Sequence, residues 1–205
     1  MKKYLLVLFS LLVFVFAGAK ILNEPKDQFK DGDIVFQSSK SGQSLAVQYA
    51  TGSKYSHVGI IFLKEGKPYV LEAVEPVKIT PLAEFKKHGD GGKIVVKRLE
   101  NRELTANEIA QMKVVYKAWI GLHYDIYFSW DDSQLYCSEL VWKLYNKVCG
   151  LELGERKPLK AYNLTDPVVK SKLEERYGNN IPWDELMISP GAIFDSELLK
   201  TVYQN

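Results

Sequence analysis

The sequence predicts an α+β domain, an antiparallel sheet with helices packed against it, and three observations carry that expectation. The stretch "HVGIIFLKEGKPYVLEAVE" holds two β-rich runs joined around Glu65-Gly66, a strong hairpin signal. The stretch "LTANEIAQMKVVYKAWIGL" changes the apolar spacing to that of a helix. Strand signals come before helix signals along the chain, the order expected when helices pack on a preformed antiparallel sheet.

Each element has its own local reason. "GDIVFQ", from Gly32 to Gln37, reads as a short strand after a turn at Asp31-Gly32. "SLAVQYATGS" reads as a short helix closed by Gly52, and the hairpin follows. "GDGGKIVVKRL" adds a turn and another strand. Thr105 and Glu108 then form a capping box, with Ile109, Met112, Tyr116 and Trp119 on one helical face. A second helix carries "YCSELVWKLYNKVCG" and ends at Gly150. A third starts at Asp166-Pro167 and ends at Gly178.

The N-terminus speaks to location. "MKKYLLVLFSLLVFVFAGAK" has two lysines, an apolar run, and small residues Ala17, Gly18 and Ala19, the pattern of a secretory signal peptide. The expectation is a leader at 1–19, cleavage after Ala19, and export to the periplasm or extracellular space. Contact with the membrane is expected only through that leader if it stays uncleaved, because the run is shorter than the roughly 20 residues of a spanning helix. No cysteine lies near the junction, which excludes a lipid-anchored lipoprotein. Residues 20–205 suffice for one domain with a real core and are too few for two comfortable ones.

The net charge of +2 includes Lys2 and Lys3, so the exported chain is close to neutral, and no basic block is long enough for a nucleic-acid surface. There is no H-E-x-x-H, no C-x-x-C and no second histidine at ligand spacing from His57, so neither metal nor cofactor is expected. "GDGGK" lacks the spacing of a phosphate loop, and G-x-S-x-G is absent. The 12 tyrosines and 4 tryptophans suit a substrate groove and an ordinary core equally well.

The chemistry then rests on the two cysteines, Cys137 and Cys149. If both lie on one helix, twelve steps separate their Cα atoms by about 18 Å. A disulfide requires about 7 Å or less. Both thiols are therefore expected to be free, an odd state for an exported protein unless one of them is used. Cys149, in the last turn beside Gly150, reads as incidental. Cys137 is in the first turn, in line with Leu140, Val141 and Leu144, where helix N–H groups favour a thiolate and a developing oxyanion.

A nucleophile needs a base. His88 sits in a polar turn, and His123 follows a helix end. His57 begins a strand that is otherwise apolar. With a two- or four-residue turn at Glu65-Gly66, Gly59 lies opposite Glu72 and His57 opposite Val74, so all four share a face. Glu72 is then the diagonal neighbour of His57, and Gly59 between them has no side chain to obstruct the contact. Glu72 is flanked by apolar residues, an unlikely place for a carboxylate without a partner. A carboxylate that orients an imidazole is the second half of a catalytic triad.

"DGDIVFQ", "YSHVGII", "YVLEAV" and "YCSELVWKLY" resemble the permuted papain-like members of the NlpC/P60 superfamily, the YiiX/YaeF-type cysteine hydrolases. The similarity runs from about Asp31 to Gly150 and continues weakly into "MISPGAIFDSELLK". In ordinary NlpC/P60 enzymes the cysteine helix comes first. Here the strands precede it, the order a circular permutation produces. The resemblance implies a circularly permuted papain-like fold with Cys137 as nucleophile, His57 as base and Glu72 as the residue that orients it. Asp33 reads as a turn or strand-end residue, while Tyr136 and Ser138 flank the nucleophile.

The first expectation is an exported cysteine amidase or peptidase acting through a thioester on a peptidoglycan-derived peptide or another small amide. The enzyme alternative is a lipid-directed acyl hydrolase or acyltransferase, since the lecithin–retinol acyltransferase group has similar His and Cys motifs. A catalytically silent domain that binds cell-wall peptides is the third reading.

Overall fold

The computed structural model describes residues 28–205, so the expected leader at 1–19 lies outside the described residues. In chain order the main elements are β1 (Ile34–Gln37), α1 (Gly42–Thr51), β2 (His57–Lys64), β3 (Lys67–Glu72), β4 (Lys78–Pro81), α2 (Leu82–His88), β5 (Val95–Leu99) and α3 (Ala106–Trp119). There follow β6 (His123–Tyr124), β7 (Gln134–Leu135), α4 (Cys137–Cys149), β8 (Lys157–Pro158), α5 (Pro167–Tyr177), β9 (Leu186–Met187), α6 (Pro190–Phe194) and β10 (Leu199–Gln204).

Six strands form one antiparallel sheet in the order β10-β5-β1-β2-β3-β4. The main core fills one face, where Phe36, Val58, Ile60 and Leu71 meet Met112 and Tyr116 of α3 and Leu140, Val141 and Leu144 of α4. The other face carries a smaller cluster, Val35, Ile61, Val70 and Val96 under Leu82 and Phe85 of α2. With both faces covered, β1 reads as the continuous run "IVFQ", every residue of it buried, rather than as an alternating strand. The α+β arrangement expected from the sequence is the one observed.

The local signals act as read. Thr105 and Glu108 close a reciprocal capping box on α3. Asp166 caps α5 through the Val168 N–H, with Pro167 in the first turn. Gly150 ends α4 in the left-handed region at φ 65°. The β2–β3 hairpin turns over two residues, Glu65 at φ 53° and Gly66 at φ 74°, a primed turn that suits the twist of the strands. Its register pairs Leu63 with Pro68 and Ile61 with Val70, so continuing it sets Gly59 opposite Glu72.

Eight elements have no counterpart in the sequence reading: β4, α2, β6, β7, β8, β9, α6 and β10. All are short, and β10 exists as a strand through its pairing with β5 at the far end of the chain. No helix among the described residues is long and apolar enough to cross a membrane.

Candidate active site

Three element ends meet at one site: the first residue of β2 (His57), the last of β3 (Glu72) and the first of α4 (Cys137). The hairpin register brings the first two together. His57 Nε2 lies 2.7 Å from Glu72 Oε2. Gly59 makes this possible, since a Cβ there would stand 2.7 Å from the Leu71 carbonyl oxygen and 3.5 Å from Glu72 Cβ. The other carboxylate oxygen, Oε1, accepts a hydrogen bond of 2.6 Å from the Thr80 hydroxyl on β4. Glu72 is 1 % exposed, so these two bonds must satisfy it. The Phe85 ring of α2 stacks on the imidazole at 5.6 Å and fixes its plane.

With Nε2 on Glu72, Nδ1 is the ring nitrogen left for Cys137, whose side chain is hydrogen-bonded to His57. Helix α4 packs on β2, and the Cys137 thiol is buried at that junction. The backbone N–H groups of Val58 and Ser138 also donate toward the sulfur. Burial alone would raise the thiol pKa; the bond to His57, its charge and the two N–H groups outweigh that and hold it below the ordinary value. Burial would likewise lower the imidazolium pKa, but the bonds to Cys137 and Glu72, with their charges, raise it to about 10. Glu72 is held below the usual carboxylate range by His57 and Thr80 against its burial. All three shifts favour the same charge distribution, a thiolate beside an imidazolium backed by a carboxylate.

A cavity of about 290 Å³ opens beside the sulfur, between α1 and α5. Most of its exposed wall is apolar, with Val47, Ala50, Leu159, Leu164, Val169 and Leu173 among the aliphatic side chains and several serines and tyrosines beside them. Tyr124 also lines it, with its hydroxyl interacting with Cys137. Burial and the neighbouring sulfur raise its pKa, so it remains a phenol and a donor.

Cys137, His57 and Glu72 are thus brought together. The other residues singled out in the sequence have different roles. Cys149 closes α4, half-buried near Arg102 and Glu108, its pKa raised to about 11 chiefly by burial. No disulfide joins it to Cys137. Asp33 forms a buried bidentate pair with Arg98, at 2.6 and 2.8 Å, and holds β1 to β5. Tyr136 and Ser138 line the cavity while bonding to the main chain of Ile188. His88 is exposed, and His123 is exposed and paired with Glu75 at 2.7 Å. Sequence reasoning missed Thr80, Phe85 and Tyr124. The aromatic in "GLHYD" was visible, but only the tertiary fold brings it to a cysteine thirteen residues away.

Comparison with known proteins bears on the family and the fold. The chain is 46% identical over 202 residues to the uncharacterized protein YiiX of Escherichia coli (strain K12), covering 98% of this chain and 96% of that one. It superposes on the crystal structure of the metalloprotein yiiX from Escherichia coli O157:H7 with a TM-score of 0.83 at 47% identity, covering 87% of this chain and 98% of that one.

The word metalloprotein calls for a test of the donors here. Among the described residues, no three His, Cys, Asp or Glu side chains converge to hold a metal ion. The group of Cys137, His57 and Glu72 is arranged in line, with the imidazole between thiol and carboxylate. Both oxygens of Glu72 are already engaged. That donor set does not fit a metal centre. The model of the permuted papain-like amidase enzymes, YaeF/YiiX, C92 family, matches residues 28–203, and the chain belongs to that family of cysteine amidases.

Proposed function

We propose that Cys137, His57 and Glu72 are the catalytic triad of this cysteine amidase, and that the cavity between α1 and α5 receives the apolar part of a small amide. The observation that carries the reading is the imidazole bonded on one side to a buried carboxylate and on the other to a thiol at a helix N-terminus.

The reaction follows from those positions. The Cys137 thiolate attacks the carbonyl carbon, and N–H groups at the start of α4 stabilise the oxyanion that forms. Glu72 keeps the imidazolium oriented so that Nδ1 delivers its proton to the leaving nitrogen as the C–N bond breaks. A thioester remains. Water then attacks it with His57 as base, which returns the acid and regenerates the thiol.

The apolar wall favours an acyl group over a sugar-linked peptide, and it equally supports the lipid-directed acyl hydrolase reading. A silent binding domain has no use for a thiol tuned below its ordinary pKa. We also propose export after cleavage of the leader, which N-terminal sequencing of the exported chain tests by finding Lys20 first.

Labelling by iodoacetamide, resolved at each cysteine by mass spectrometry, tests the triad. Cys137 should label near neutral pH, while Cys149, raised to about 11, should not. On an amide substrate, activity should fall in acid as the thiolate is protonated and in base near pH 10 as His57 loses its proton. A Cys137 that labels no faster than Cys149 at neutral pH rules the triad out.

A further inference from the structure

We infer that Thr80 is a positioning residue for this reaction: its hydroxyl fixes the Glu72 carboxylate, and through it the imidazole that serves Cys137. The inference rests on reading Cys137, His57 and Glu72 as the triad. It starts from a shortage of donors. Glu72 is buried, and a buried carboxylate needs hydrogen bonds at both oxygens. Among the described residues it has two donors, His57 Nε2 at 2.7 Å from Oε2 and the Thr80 hydroxyl at 2.6 Å from Oε1. Lys78 stands opposite Glu72 in the β3–β4 ladder, but its side chain is exposed and makes no hydrogen bond to the carboxylate.

The sheet builds this arrangement. Val70 pairs with Thr80 and Glu72 with Lys78, so Thr80 is the diagonal neighbour of Glu72 on the same face. His57 has the same diagonal relation to Glu72 across the β2–β3 hairpin, so the carboxylate is held from both flanking strands. β4 is the last strand at this edge of the sheet, and yet Thr80 is buried. The chain turns into α2 at Leu82, and α2 brings Phe85 onto the imidazole. Residues 80–85 thus supply both the donor behind Glu72 and the ring beside His57. The branched Cβ of threonine restricts χ1, so its hydroxyl is held ready at little cost in entropy. An ionised carboxylate only accepts, so the Thr80 proton lies toward Oε1. When His57 passes its proton to the leaving nitrogen, Glu72 loses its cationic partner but stays buried. The Thr80 bond then stabilises the carboxylate beside a neutral imidazole, and Oε2 keeps its place on Nε2.

The test is the pH dependence of iodoacetamide labelling at Cys137 in the full chain, with a melting curve for each variant. Thr80→Val keeps the shape and removes the donor. A carboxylate short of one donor supports the imidazolium less well, and the thiolate with it, so the labelling midpoint should move up by about half a pH unit or more. Tyr124, which interacts with the thiol, stays a phenol through this range because burial and the sulfur raise its pKa. Thr80→Ser should keep the wild-type midpoint. In a Glu72→Ala background, Thr80→Val should add no further shift. An unmoved midpoint in Thr80→Val overturns the proposal, as does a Thr80→Ser midpoint shifted as far as that of Thr80→Val. An equal shift in the Glu72→Ala background also overturns it, by showing that Thr80 acts on the fold and not through Glu72. If Thr80→Val does not melt cooperatively, Thr80→Ala takes its place with the same expectations. A wild-type Cys137 that labels no faster than Cys149 would instead refute the triad, so the two failures are told apart.

Discussion

Replacing Glu72 with glutamine preserves shape and removes charge, and the structure sets the size of the effect. Glu72 is buried, with one oxygen on His57 and the other on Thr80. The Thr80 hydroxyl can donate or accept, so the glutamine oxygen can stay on Nε2 while its NH2 turns to Thr80. One charge-assisted hydrogen bond then becomes neutral, a loss of about 1–2 kcal/mol. That lowers the imidazolium pKa by about one unit, from a value of about 10. Turnover should fall roughly five- to thirtyfold in this arrangement. If the amide flips instead, its NH2 faces Nε2 and imposes the wrong tautomer, and the loss approaches about 10⁴-fold.

The assay is a pH–rate profile with a melting curve beside it, wild type against Glu72→Gln. The alkaline limb should move toward lower pH. The sign for stability is also fixed. The carboxylate pKa is depressed by folding, so its contribution is present above the unfolded value of 4.5 and is lost as pH falls below it. The wild type's advantage in Tm should therefore shrink toward pH 4. Unchanged kcat/KM with an unmoved alkaline limb would show that Glu72 is merely a satisfied buried acid.

Three further outcomes are expected. Cys137→Ala, His57→Ala and the double variant should show similarly low residual rates, because the pair acts in one step; multiplicative losses would break the assignment. Gly59→Leu should lower both Tm and activity, since its Cβ would fall 2.5 Å from Val70 Cγ1 and 2.7 Å from the Leu71 carbonyl oxygen; normal turnover in that variant would show that the hairpin contact is dispensable. Glu139→Gln should raise Tm relative to wild type by an amount that grows from pH 5 to pH 8. Burial lifts the Glu139 pKa to about 8 although Lys143 is 2.7 Å away, so the folded state keeps a proton that the unfolded chain has lost. Glutamine preserves the cap on the Tyr136 N–H, and a gap that narrows with rising pH would refute the argument.

The pairing of His57 with Glu72 was legible in the sequence because its geometry is local. A two-residue turn fixes the hairpin register, the register fixes which residues share a face, and a glycine among long apolar neighbours marks a close approach. The free thiols followed from helical rise alone. The supports were not legible, because each comes from a different element. Thr80 is a single hydroxyl on an edge strand, Phe85 lies on a seven-residue helix, and Tyr124 belongs to a two-residue strand. None of these has a period long enough to read. Arg176, in the cavity wall, is hidden for another reason. On α5 it sits beside Glu175 and close to Lys172, and reads as one more charge on a solvated face until Gln43 and Phe128 draw it inward.

The permuted order of the chain explains why recognition and chemistry come from different segments. Catalysis needs only three element ends to meet at one edge of the sheet, and that meeting does not depend on which segment comes first. Eighty residues separate His57 from Cys137, but closure entropy grows only logarithmically, so doubling such a span adds about 0.6 kcal/mol. With Cys137 late in the sequence, the segment after α4 adds no strand to the six-stranded sheet until β10 pairs with β5. That segment supplies Leu159, Leu164, Val169, Leu173, Arg176 and Met187 to the cavity wall. The sheet edge and α4 thus bring Cys137, His57 and Glu72 together, while much of the cavity wall comes from the later segment, which is tied to α4 through Ile188 and to the sheet through Phe194. Changes in α5 should therefore alter which amide is cleaved while leaving the labelling chemistry of Cys137 as it is.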